Sequence, residues 1–302
     1  MNAAEQPIFV LGILPRSGTN FLYNLLMLHP DCAPPDPVWE DFLVTHLDLL
    51  AGYSDRVAGE WDAEWGVDEE TQKHLDRSLG AGIGLFLQER CNRPRVVSKT
   101  PRVESLADFF RFFPDSKLLI LVRDGRSMVE SAIKSFGWRR EPFLHALAQS
   151  ARMINSFKNQ ASAHQDRFRI IRYEDLWQDT ESALCDILGF LELDMGVYDL
   201  EAALNLPVRG SSELKTGPGE PIHWDPVERT ADFDPMSRFK DWSDARHFRY
   251  NRLVGREMRE LGYALKKTGN PGGLYSIQGF WLDLAWALKS LVKPVCLRLR
   301  RP

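Results

Sequence analysis

A chain of 302 residues, 44% hydrophobic and 26% charged, has the make-up of a soluble globular protein with one large α/β domain or two small ones. A formal charge of −4 argues against a general nucleic-acid binder, which needs a basic face, while leaving room for one bound nucleotide. Cys32, Cys91, Cys185 and Cys296 are far apart with no C-x-x-C pair, so neither a disulfide framework nor a zinc site is expected, and a reducing, cytoplasmic setting is. No run of roughly 18 apolar residues announces a spanning helix, and the N-terminal apolar run lacks the basic flank of a signal peptide.

Apolar residues from Ile8 to Leu14 predict a first strand, and the polar run Pro15-Arg16-Ser17-Gly18-Thr19-Asn20 predicts a tight loop. Phe21, Leu22, Leu25, Leu26 and Leu28 then recur at helical spacing, until His29-Pro30-Asp31 stops the helix. The Pro-rich segment from Cys32 reads as a loop, Trp39–Leu50 as a helix, and residues 52–70, with Trp61 and Trp65, as a surface excursion. Glu69–Cys91 predicts a long helix weakened by Gly80, Gly82 and Gly84. Arg95–Ser98 is a short β-prone run, Val103–Phe113 an amphipathic helix, and Lys117–Arg123 a strand apolar enough to be buried on both faces. Helices follow over 126–136 and 142–160, then a strand over 168–173 and a helix over 180–191. Residues 207–234 form a long Gly/Pro-rich loop of the kind that closes over ligands, and Ser243 caps a last helix over 244–261. This alternation predicts a three-layer α/β/α fold around a parallel sheet, with the loops 14–19, 99–101, 123–127 and 173–176 on one rim.

A strand, a polar loop and a helix aim backbone N–H groups and a helix dipole at one point, which is an anion site. Arg16 is the only Lys or Arg before Arg56, and it falls in that loop. The loop is not a nucleoside-triphosphatase loop, because the Gly12–Gly18 gap is a residue too long and Thr19 stands where the lysine would be. Arg16, Ser17, Thr19 and backbone N–H groups can instead hold a terminal phosphate without a metal. Arg123, ending a buried strand, and Ser131, on the following helix, suit a second phosphate. Asp124 reads as a helix cap.

The segments PRSGTNFLYNLLMLHPD and KLLILVRDGRSMVESAIKSF, together with RYEDL (172–176) and LGY (261–263), resemble the sulfotransferase superfamily that uses 3′-phosphoadenosine 5′-phosphosulfate (PAPS). They look closest to the branch holding protein-tyrosine sulfotransferases and bacterial relatives. The resemblance covers residues 7–263. It implies a P-loop-like catalytic domain over 1–266, sulfuryl transfer to a hydroxyl, and adenosine 3′,5′-bisphosphate (PAP) as product. Arg16, Ser17, Gly18, Thr19 and Asn20 then grip the 5′-phosphosulfate, although the branch usually has a second Thr where Asn20 stands. Arg123 and Ser131 grip the 3′-phosphate, and Tyr173 packs near the adenine. Lys99 joins Arg16 at the transition state, and Glu40 is the base, with Asp41 in reserve. Of Ser211, Ser212, Lys215 and Lys240, Lys240 is the preferred further cofactor ligand. His29 reads as a helix-stop residue.

The acceptor is expected to be a hydroxyl on a small molecule, lipid or glycan, with Trp61, Trp65 and the 208–234 loop forming its pocket. Residues 267–302 form an amphipathic, basic tail, either a peripheral membrane contact or a helix docked on the domain or on a second subunit. The competing functions are a kinase-like phosphotransferase and a non-catalytic nucleotide-binding module.

Overall fold

The computed structural model describes residues 6–209, 227, 234–269, 279, 281–284 and 286. Among them, β1 (Ile8–Gly12), β2 (Cys32–Ala33), β3 (Arg95–Thr100), β4 (Lys117–Val122) and β5 (Phe168–Arg172) form a parallel sheet in the order β2-β3-β1-β4-β5. Its helices are α1 (Thr19–Leu26), α2 (Leu47–Gly59), α3 (Glu69–Glu89), α4 (Phe109–Phe112), α5 (Gly125–Phe136), α6 (Arg140–Gln160), α7 (Tyr173–Gln178), α8 (Thr180–Leu191), α9 (Leu200–Leu204) and α10 (Asp244–Glu260).

Side chains alternate across a strand, so a central parallel strand must be apolar at every position. Phe9 and Leu11 of β1, with Leu118 and Ile120 of β4, enter the core formed with α4, α5, α6 and α10. Ile8 and Val10, with Leu119 and Leu121, enter a second core with α1, α7 and α8. All eight residues are fully buried, and each such side chain contributes roughly 1.5–3 kcal/mol. This is the expected three-layer arrangement. From β1 the chain moves outward to β2 and β3 on one side and later to β4 and β5 on the other. The rim between β1 and β4 is therefore the switch point where such sheets bind ligands.

Three local expectations change. Trp39–Leu43 is not helical: a short 3₁₀ turn covers Val44–His46, and the helix starts only at Leu47. Asp41 turns back to accept from the Leu43 N–H (3.0 Å) and from Ser98 Oγ (2.6 Å), while Phe42 takes a φ of 55°, so side-chain bonding displaces the helix. The 103–113 segment breaks into a 3₁₀ turn and the single turn α4, with Ser105 at φ 59° bonding the Thr45 carbonyl and Asp48. The proline-rich segment contributes β2 because Arg95 N–H reaches the Asp31 carbonyl and sets the pairing with β3. Gly80, expected to weaken α3, lies where a Cβ would come within 1.9 Å of the Phe112 carbonyl, so it permits the close approach of α3 and α4.

In the described part of the tail, Asp283 accepts from Arg249 (2.6 Å) and Arg252 (3.0 Å) of α10, and Trp286 stacks on His145 of α6 at 4.4 Å. That stretch is docked on the domain. Most of the amphipathic basic stretch, Lys289 to Arg301 included, lies outside the described residues.

Candidate active site

The loop leaving β1 is held open by two left-handed residues, Arg16 at φ 78° and Gly18 at φ 100°, and α1 begins at Thr19 with no acid in its first turn. A Cβ at Gly18 would lie 2.3 Å from Tyr173 Cδ2, so glycine both permits the turn and admits the Tyr173 ring against it. Ser17 is fully buried, and its Oγ has no hydrogen-bond partner among the described residues. A buried orphan hydroxyl beside the N-terminus of a helix fits an anion.

Three arginines face this loop. Arg16 Nε donates to Ser131 Oγ of α5 (3.0 Å), and Arg238 approaches the same oxygen (3.4 Å). Arg123, leaving β4, donates to the Arg16 carbonyl (3.0 Å) and the Pro235 carbonyl, and its guanidinium carbon lies 4.4 Å from the Tyr173 ring centroid. Its Nε is buried without a hydrogen-bond partner among the described residues. Burial, then repulsion from Arg123 and Arg238, pulls the Arg16 pKa down to about 9. Cations forced together this way gain from a polyanion in the small cavity that they line with Gly18, Thr19, Asn20 and Arg209.

A larger cavity of about 760 Å³ opens beside it and shares Arg16, Thr19, Asn20 and Arg209 with the first. Lys99, at the end of β3 and only 6% exposed, forms its inner wall. Its ammonium donates to Asn20 Oδ1, lies 3.4 Å from Glu40 Oε1 and sits 5.0 Å from the Tyr23 ring centroid. Burial lowers the Lys99 pKa, and Glu40 opposes that shift. The outer wall is aromatic: Trp39, Phe42 and Trp138 are partly exposed, and Phe136 stacks on Trp138 at 4.5 Å.

The profile of the sulfotransferase family matches residues 7–196. The chain belongs to the sulfotransferase family. This sulfotransferase is 27% identical over 202 residues to a putative protein-tyrosine sulfotransferase of Caenorhabditis briggsae, covering 63% of this chain and 66% of that one. It is 27% identical over 198 residues to protein-tyrosine sulfotransferase 1 of Danio rerio (63% of this chain, 54% of the relative). With the Homo sapiens counterpart it shares 32% over 133 residues (43% and 34%). The alignments thus span about two thirds or less of these curated relatives. Among solved structures, the sulfotransferase domain from the curacin biosynthetic pathway has a similar fold, with a TM-score of 0.52, 21% identity, and coverage of 86% of this chain and 98% of that one.

The sequence motifs of this sulfotransferase meet in space. Asp124 caps α5, accepting from the Arg126 N–H (2.9 Å) and pairing with its guanidinium. Glu174 of RYEDL accepts from the Asp124 N–H (2.8 Å) and from the Tyr263 hydroxyl of LGY (2.8 Å), which locks three distant motifs together.

Of the expected site residues, Arg16, Gly18, Thr19, Asn20, Arg123, Ser131 and Tyr173 line the small cavity, and Glu40 and Lys99 the large one. Asp41 is half-buried and bonded to Ser98, Thr100 and the Leu43 N–H, and burial raises its pKa. It shapes the loop that presents Glu40. His29 has both ring nitrogens engaged, one with the Asp194 carbonyl and one with the Asp31 N–H, and serves structure. Lys240 is exposed and lines neither cavity, whereas Arg238, two residues earlier, lines the first. Ser211, Ser212 and Lys215 lie outside the described residues. Trp61 and Trp65 line neither cavity, and Trp39, Phe42, Phe136 and Trp138 form the aromatic wall instead. Arg209 lies at the start of the long loop and Arg238 just beyond its end, where no spacing rule links them to the Arg16 motif.

Proposed function

We propose that this chain moves a sulfuryl group from PAPS to an acceptor hydroxyl by in-line displacement. The observation that carries this reading is the junction of the two cavities. An arginine cluster suited to a nucleotide bisphosphate meets, at Arg16 and Asn20, a second chamber that holds Lys99 and Glu40. Orphaned Ser17 Oγ and Arg123 Nε fit the phosphate oxygens of the donor.

In this reading Ser17 and the N–H groups opening α1 hold the 5′ end, and Arg123, Ser131 and Arg238 hold the 3′-phosphate. Glu40 takes the acceptor proton as the acceptor oxygen bonds to sulfur. Arg16 and Lys99 stabilise charge on the bridging oxygen as its bond to sulfur breaks. The aromatic wall favours a ring-bearing or apolar hydroxyl acceptor. Isothermal titration tests the donor: tight binding of PAP without Mg²⁺ supports the proposal, and preference for Mg-ATP overturns it. An acceptor screen should include phenols, apolar alcohols, lipids, glycans and tyrosine peptides, the last because the relatives named above are protein-tyrosine sulfotransferases.

A further inference from the structure

We infer that Asn20 is a positioning residue that bridges the donor loop to Lys99, its amide oxygen holding the ammonium and its amide nitrogen facing the transferred group. This rests on the sulfotransfer reading above. A lysine ammonium has only donors, so the contact between Lys99 Nζ and Asn20 must be to the amide oxygen. With the oxygen so committed, the NH₂ end is turned away from Lys99 by the planarity of the amide. Asn20 borders both cavities, at the point where donor and acceptor groups would meet.

An amide accepts at one end and donates at the other simultaneously. A threonine hydroxyl, one bond shorter, cannot span the same two partners. Asn20 therefore has a geometric function: it fixes Lys99, which Glu40 alone approaches only at 3.4 Å from a side chain 36% exposed. The other charged or titratable groups around Lys99 are Asp41, Tyr23 of α1, whose ring centroid lies 5.0 Å from the ammonium, and Arg16 and Arg102, which line the same cavity. Replacing Asn20 changes the Lys99 environment while leaving these groups in place.

The test uses the full chain and two near-isosteric variants, Asn20→Leu and Asn20→Asp. Competitive acetylation, read at Lys99 by mass spectrometry, reports the titration of the ammonium without requiring activity. The expected result is a lower Lys99 pKa in Asn20→Leu, which loses an acceptor, and a higher one in Asn20→Asp, which gains a carboxylate. In the sulfate-transfer assay, kcat should fall about tenfold or more in Asn20→Leu. An unmoved Lys99 titration in both variants overturns the bridging role, as does an undiminished kcat in Asn20→Leu. Absence of transfer by wild-type protein would instead count against the sulfotransfer reading, with the acetylation result still deciding the contact.

Discussion

Replacing Glu40 with Gln keeps shape and removes the proposed base. Glu40 is part-exposed and borders the larger cavity but not the arginine-lined one, so the change should spare donor binding and fold. A positioned general base contributes roughly 10²–10⁴-fold, so kcat should drop at least about a hundredfold. Loss of the contact with Lys99 adds a smaller effect, because an ion pair at 3.4 Å beside solvent is screened. Steady-state transfer of labelled sulfate, with PAP titration and thermal unfolding as controls, separates these quantities. Transfer by Glu40→Gln at near wild-type rate would refute the assignment. A matching fall in PAP affinity would show that Glu40 acts on the donor instead.

Asp41→Ala should behave oppositely, lowering stability by about 1–3 kcal/mol through the stranded Ser98 hydroxyl and Leu43 N–H, measurable as a shift in denaturant midpoint. Arg238→Ala should weaken PAP binding about tenfold or more, whereas Lys240→Ala should leave it unchanged, both read by calorimetry. Gly18→Ala forces a side chain at φ 100° into the Tyr173 ring and should reduce both stability and PAP affinity. Burial lowers the Lys99 pKa, so its cationic form is lost at lower pH than for a free lysine. The alkaline limb of the transfer rate should accordingly fall below the ordinary lysine range and disappear in Lys99→Arg, whose guanidinium stays charged.

The parallel sheet was legible because buried central strands must be apolar on both faces, and Ile8–Gly12 and Lys117–Val122 could scarcely be anything else. The donor loop was legible for a similar reason, since a lone arginine among polar small residues between strand and helix has few other uses. The 39–43 segment was not, because whether Asp41 begins a helix or folds back depends on Ser98 and Thr100, 57 and 59 residues away. The choice of Arg238 over Lys240 likewise depends on how the chain enters α10 from Pro235, a matter of tertiary contact with Arg123. Trp39 and Trp138 are far apart in the chain, so no sequence window contains the aromatic wall that they share.

The central claim is most directly tested by incubating the protein with PAPS carrying labelled sulfate and the acceptor panel. Label should move to a ring-bearing or apolar hydroxyl with wild-type protein and fail to move with Arg16→Ala. No transfer to any acceptor, together with phosphoryl transfer from Mg-ATP, would contradict it.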